Sequence, residues 1–112
     1  MQPTDFDVTI SYEDDEVLVA VRGEIDLYTG PMLWDRLSAA VDGGRRRVVI
    51  DLGGVSFMDS TGISVIVMAL RRLREDGGVL VVRSPSRSVF KLLELTGVAN
   101  LVTVEGGVTV PA

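Results

Sequence analysis

Phe6, Val8, Ile10 and Tyr12 alternate with polar residues, the two-residue period of a strand with one buried face. The acidic run Glu13-Asp14-Asp15-Glu16 predicts a turn. Val17 to Val21, nearly all apolar and β-branched, then predicts a second strand covered on both faces and paired with the first as a hairpin. Thr29-Gly30-Pro31 is a helix start, because Thr can accept a backbone N–H and Pro in the first turn gives up a donor that had no partner. Leu33, Leu37, Ala40 and Val41 share one face of that helix, and Gly43-Gly44 ends it. Val48 to Leu52 predicts a third strand. After a short connection, a second helix runs from Ser60 or Thr61 to about Asp76, with Ile63, Ile66, Val67, Leu70 and Leu73 as its core stripe. Arg71, Arg72 and Arg74 fall in its last turns, where cations complement the helix dipole, and Gly77-Gly78 stops it. Val79 to Val82 predicts a fourth, buried strand. Ser84-Pro85-Ser86 opens a third helix with the face Val89, Leu92 and Leu93, ended by Gly97, and Leu101 to Val104 predicts a fifth strand.

The order β-β-α-β-α-β-α-β implies right-handed crossovers and an α/β fold with a mixed, mostly parallel sheet of about five strands. The 112 residues contain no linker-like stretch, so one domain is expected over 1–112, with its core at 6–105 and a short Gly-rich tail. Hydrophobic residues make up 46% and aromatics only 5%, which places the core on Val, Leu and Ile. The densest apolar window, Ile63 to Leu70, is broken by Ser64 and soon meets Arg71 and Arg72, too short for a bilayer that needs about 20 apolar residues. Asp5 and Asp7 stand where a secretion signal would be basic and then apolar, so the reading is a cytoplasmic protein without membrane contact.

Charge and missing residue types narrow the chemistry. A net charge of −5 opposes nucleic-acid binding, which draws on Lys and Arg against phosphate. Arg45-Arg46-Arg47 is the one tight basic cluster, read as a solvated turn before a strand with a phosphate or lipid contact as the alternative. Cys and His are both absent, which removes disulfides, thiolate nucleophiles, a Ser-His-Asp triad and an imidazole base. No cofactor, metal ligand set or catalytic residue is indicated.

In open α/β sheets, functional groups gather where strands end and helices begin, which singles out Asp51 to Gly62. Its end, Phe57-Met58-Asp59-Ser60-Thr61-Gly62, sets two adjacent hydroxyls beside a carboxylate at a helix start. Asp59, Ser60 or Thr61 can serve as the cap, a role for one residue only and worth about 1 kcal/mol. Phe57 and Met58 form either an apolar shoulder or part of the core.

This segment resembles the signature of the STAS domain, and specifically of the anti-sigma factor antagonists of bacterial sporulation and stress signalling. Gly23-Glu24-Ile25-Asp26 matches the family's Gly-Glu-(Ile/Leu)-Asp element, and Gly77-Gly78, Ser84-Pro85-Ser86 and Leu95-Thr96-Gly97-Val98 fit as well. The likeness spans roughly residues 6 to 105. Ser64 departs from it, since these antagonists usually carry Gly there, and the tail from Glu105 is short beside members that end in another helix. The resemblance implies a non-enzymatic switch protein, and the free chain is expected to be a monomer. Unphosphorylated, it captures an anti-sigma factor with serine kinase activity and frees a sigma factor; phosphorylation reverses the capture, and a protein phosphatase resets the cycle. The phosphoacceptor maps onto Ser60, with Thr61 as the alternative. Glu24, Asp26, Met58, Asp59, Ser60, Thr61, Gly62 and Ser64 form the expected partner surface.

The kinase chemistry would lie in the partner, because the chain has no Walker-type phosphate loop and its one lysine is Lys91. Glu24 and Asp26 read equally as solvated residues ending a strand. Val65 and Met68 sit partly off the helix's core stripe, either buried or offering an apolar contact near Ser60. The competing functional class is a non-switching STAS scaffold or transporter-regulatory subunit, in which Ser60 is only a cap.

Overall fold

The computed structural model describes residues 5–106. Its elements run β1 (Asp7–Glu13), β2 (Glu16–Ile25), α1 (Gly30–Asp42), β3 (Arg47–Met58), α2 (Ser60–Glu75), β4 (Val79–Arg83), α3 (Arg87–Leu95), a 3-10 turn (Val98–Asn100) and β5 (Thr103–Glu105). The order of elements is the expected one. The sheet order is β1-β2-β3-β4-β5, antiparallel between β1 and β2 and parallel thereafter.

Each parallel crossover advances one strand in the same direction, so right-handed connections put all three helices on one face. The register agrees: Val17, Val48 and Leu80 lie side by side, as do Val19, Ile50 and Val82. These rows join the buried residues of all three helices in one cluster, with Leu37, Ala69 and Leu93 fully buried. A Leu→Ala change at such a site costs about 2–5 kcal/mol. The intervening rows, Glu16-Arg47-Val79 and Ala20-Asp51-Arg83-Glu105, point the other way. No helix among the described residues lies over them.

That one-sided arrangement corrects several expectations. Val17, Val19 and Val21 are buried but Leu18 and Ala20 only partly, so β2 is covered on one face. Val79, on the helix-free face, is 44% exposed rather than buried. Tyr12 is half-exposed at the strand end, and the Arg45 guanidinium stacks 4.5 Å above its ring. In α2 the stripe is rotated: Val65 and Ala69 are buried with Ile66, Leu70 and Leu73, while Ile63 and Val67 are half-buried. The fifth strand starts at Thr103, after the 3-10 turn, and Leu101 is exposed. Beyond Gly106 the Gly-rich tail lies outside the described residues.

The largest revision concerns β3, which continues past Leu52 through Gly53-Gly54 to Met58. Two register shifts against β2 mark bulges. At Gly54 a Cβ would sit 3.1 Å from the Val21 carbonyl oxygen, so glycine here permits close strand approach rather than a turn. The extension carries the chain to the sheet's end, where α2 begins.

Candidate functional site

Asp59, with extended backbone, is the N-cap of α2, and its Oδ1 accepts from the Thr61 amide at 2.8 Å. Of the three capping candidates the carboxylate takes the role, and Ser60 stands at the first helical position, outside the cap and exposed to solvent. Thr61 is half-buried. Its methyl packs where a Cβ on Gly30 would have to go, so the starts of α1 and α2 touch. Ser64 is exposed one turn along.

Met58 and Gly62 lie beneath this surface, Met58 only 7% exposed and Gly62 buried. A Cβ on Gly62 would meet the Met58 sulfur at 2.5 Å and an Ile25 methyl at 3.2 Å. Both residues of the expected partner surface thus support the turn from below. Phe57 alternates outward and is 48% exposed.

The second part of the site is the bend from β2 into α1. The Asp59 amide donates to the Ile25 carbonyl at 3.2 Å, which fastens the Ser60 turn to this bend. Asp26 Oδ1 accepts from the Tyr28 and Thr29 amides at 2.9 and 3.1 Å. Thr29 Oγ1 accepts from the Asp26 amide at 2.9 Å and donates to the Glu24 carbonyl at 2.8 Å. Thr29 therefore turns back into the bend, and its side chain does not cap α1 as the sequence suggested. The Thr29 amide, foremost, holds the Asp26 carboxyl below its ordinary value against desolvation, with the Tyr28 amide and the Thr29 hydroxyl adding to the lowering. Glu24 and Asp26 are both half-buried.

This bend carries features with no periodic signal in the sequence. Leu27 is 75% and Tyr28 86% exposed. Beside them an apolar groove of about 320 Å³ runs between α1 and α2, lined by Leu27, Pro31, Trp34, Thr61, Ser64 and Met68 among others. Met68 is 39% exposed while Val65 is buried, which divides two residues that read alike in sequence. The Arg72 guanidinium lies 5.7 Å from the Trp34 ring and is paired with Asp42. The only sequence cue was the placing of two large apolar residues inside an otherwise polar turn.

The first turn of α2 has no acidic residue, and Arg72 and Arg74 stand in its last turn. The Thr61 and Gly62 amides donate to Asp59, and the positive end of the α2 dipole meets the solvent at Ser60, where an anion is tolerated. No helix among the described residues is long and apolar enough to cross a membrane.

A one-directionally wound sheet that displays a rigid hydroxyl turn beside exposed apolar side chains is a module built to present a surface. The chain belongs to the STAS domain family, whose model described as "Mlab, STAS domain" matches residues 8–103. It is 31% identical over 105 residues to the anti-sigma-B factor antagonist of Bacillus subtilis, covering 90% of this chain and 95% of that one. It is 36% identical over 92 residues to the anti-sigma-B factor antagonist of Staphylococcus aureus, covering 82% and 85%. In fold it resembles the antagonist SpoIIAA in its unphosphorylated form, with a TM-score of 0.76, 21% identity and coverage of 93% and 89%. The phosphorylated form of that Bacillus protein gives 0.71, 20% identity and coverage of 93% and 92%.

Proposed function

We propose that this chain is an anti-sigma factor antagonist that works by partner switching. Unphosphorylated, it captures an anti-sigma factor with serine kinase activity, and phosphorylation at Ser60 ends the capture. In that step the γ-phosphoryl group of ATP passes to Ser60 Oγ, the hydroxyl proton goes to a base of the partner kinase, and ADP leaves. A phosphatase resets the cycle by hydrolysis. The chain acts as a cytoplasmic monomer and contributes the substrate hydroxyl and the docking surface, not the catalytic groups.

The observation that carries this reading is the division of labour at the turn. Asp59 supplies the cap, so the Ser60 hydroxyl is exposed without being needed to hold α2. A phosphate there adds about −1.5 to −2 charges at a position that tolerates them, so the fold survives. A partner fitted to a neutral hydroxyl beside Asp59 meets repulsion and a desolvation cost instead. The names of the curated relatives support the same direction.

Incubation with a purified cognate anti-sigma kinase and Mg-ATP, followed by tandem mass spectrometry, tests the assignment. One phosphoryl group on Ser60, lost in Ser60→Ala, is expected. Modification confined to other residues, or none with any cognate kinase, would point to the non-switching scaffold.

A further inference from the structure

We infer that the free edge of β1, with the groove between it and α1, takes up an extended segment of a partner protein as an added strand, the segment carrying hydrophobic side chains at alternate positions and a Lys or Arg at each end. This edge is separate from the Ser60 turn and serves a second contact, beyond the proposed antagonist function.

The sheet has two edges, β1 and β5, and they differ. β5 is three residues long and offers little to template another strand. β1 is seven residues long, keeps an unbroken register with β2, and contains no Lys, Arg or Pro. It therefore lacks the bulges, basic side chains and prolines that usually blunt an edge, and its outward N–H and C=O groups meet no strand among the described residues. Beside its start a groove of about 270 Å³ opens toward α1, with buried Phe6 and Val8 at its floor and half-exposed Met32 on its wall. An added strand gains the backbone ladder from this edge and sends every second side chain over that groove.

Charge decides the occupant. Asp7-Val8-Thr9-Ile10-Ser11-Tyr12-Glu13 reads alike from either end: acid, hydrophobic, hydroxyl, hydrophobic, hydroxyl, hydrophobic, acid. Val8, Ile10 and Tyr12 stand beside Val21, Val19 and Val17 on the helix side, and Thr9 and Ser11 face the other way. A second copy paired antiparallel about Ile10 would match the hydrophobic and hydroxyl positions but set Asp7 against Glu13 at both ends, where like charges oppose pairing. The edge thus refuses its own copy and suits a strand with cations at those two places. Arginines already nearby do not fill that need. Arg22 lies 3.9 Å from Asp7 with both side chains well exposed, Arg46 meets Asp15, Arg47 is held by Glu16 and Glu105, and Arg45 stacks on Tyr12. Glu13 has no ion pair among the described residues, and Asp35 and Arg36, both lining the groove, offset one another in charge.

The test is an NMR titration of the isotope-labelled full chain with the capped peptide Lys-Val-Thr-Val-Thr-Val-Lys, and with Glu-Val-Thr-Val-Thr-Val-Glu in parallel. The lysine peptide should shift the amides of residues 7–13 and the Met32 methyl, with Kd of about 1 mM or tighter, and the glutamate peptide should bind at least about tenfold more weakly. Asp7→Lys/Glu13→Lys changes two exposed side chains, so it should unfold thermally like wild type and reverse that preference. Glu13→Lys alone sets opposite charges across the two-fold pairing at both ends, and it should dimerise in sedimentation at concentrations where wild type is monomeric. Shifts confined to other parts of the chain, none at all, or equal affinity for the two peptides would overturn the inference. Wild type that self-associates through β1 as strongly as Glu13→Lys would give the edge to a second copy and overturn the proposed occupant.

Discussion

On the helix-free face of the sheet, Arg47 is held by Glu16 and Glu105 at 2.8 and 2.9 Å, and Arg83 meets Glu105 at 2.7 Å. These charges neutralise one another across four strands. Around Ser60 the pattern reverses. Glu24, Asp26 and Asp59 have no cationic partner among the described ion pairs, and Leu27 and Tyr28 stand in water. A surface whose charges are satisfied internally gives little to a partner, because docking there would break existing pairs. A surface with unpaired charge and rigid apolar groups gains from being covered. The two regions of one small sheet thus separate a face whose charges serve the fold from the end that the proposed function assigns to the partner.

Substitutions can break this contrast in order of size. The largest effect is expected beneath the Ser60 turn: Gly62→Ala drives a Cβ into Met58, and overpacking of this kind costs about 1–3 kcal/mol, partly offset by better helix propensity. Chemical denaturation should show that loss, and Met58→Ala in the same chain should recover part of it through their contact. Asp59→Ala removes the cap oxygen and should cost about 1 kcal/mol, whereas Asp59→Asn keeps most of the stability. A loss in Asp59→Ala no greater than in Asp59→Asn would show that the cap does not hold the turn.

On the helix-free face the expected effects are smaller. Arg47→Gln cuts two partly exposed ion pairs and should cost less than about 1 kcal/mol, with affinity for the anti-sigma partner unchanged. A large fall in affinity would place the partner on the wrong face. The smallest effect is a pH dependence. Hydrogen bonds from Arg83 first, then Arg47, hold the Glu105 carboxyl below its ordinary value of 4.5. Its folded value is depressed, so its contribution is complete above the unfolded value and fades as pH falls through the lower folded one. Asp26 shifts in the same direction. Acid titration of unfolding should therefore show a loss of stability below about pH 4.5 that is blunted in Glu105→Gln, and an identical profile would contradict the network's role.

Much of the fold was legible in the pattern of apolar residues. The element order, the helix stops at Gly44 and Gly77, both with positive φ, and the placing of Ser60 at a helix start follow from local chemistry. What escaped depends on tertiary neighbours. The run Val17 to Val21 looks the same whether one or both faces are covered, and only the direction of winding leaves one side without helices. Gly53-Gly54 falls in what reads as a short connection after Leu52, but the strand continues, with Gly54 close against the β2 backbone at Val21. Asp59, Ser60 and Thr61 all carry capping oxygens, and the extended backbone at Asp59 selects among them. Thr29 sits where a cap would, yet the Glu24 carbonyl and the Asp26 amide claim its hydroxyl. The exposed tip at Leu27-Tyr28 was silent because two residues have no period.

The most direct measurement compares the affinity of the cognate anti-sigma kinase for the unmodified chain and for the chain stoichiometrically phosphorylated on Ser60, with circular dichroism and thermal unfolding of both. A weakening of at least about thirtyfold, about 2 kcal/mol, with superimposable spectra is expected of a charge added at a tolerant helix start facing a partner. Equal affinities, or a phosphorylated chain that has lost its fold, would contradict it.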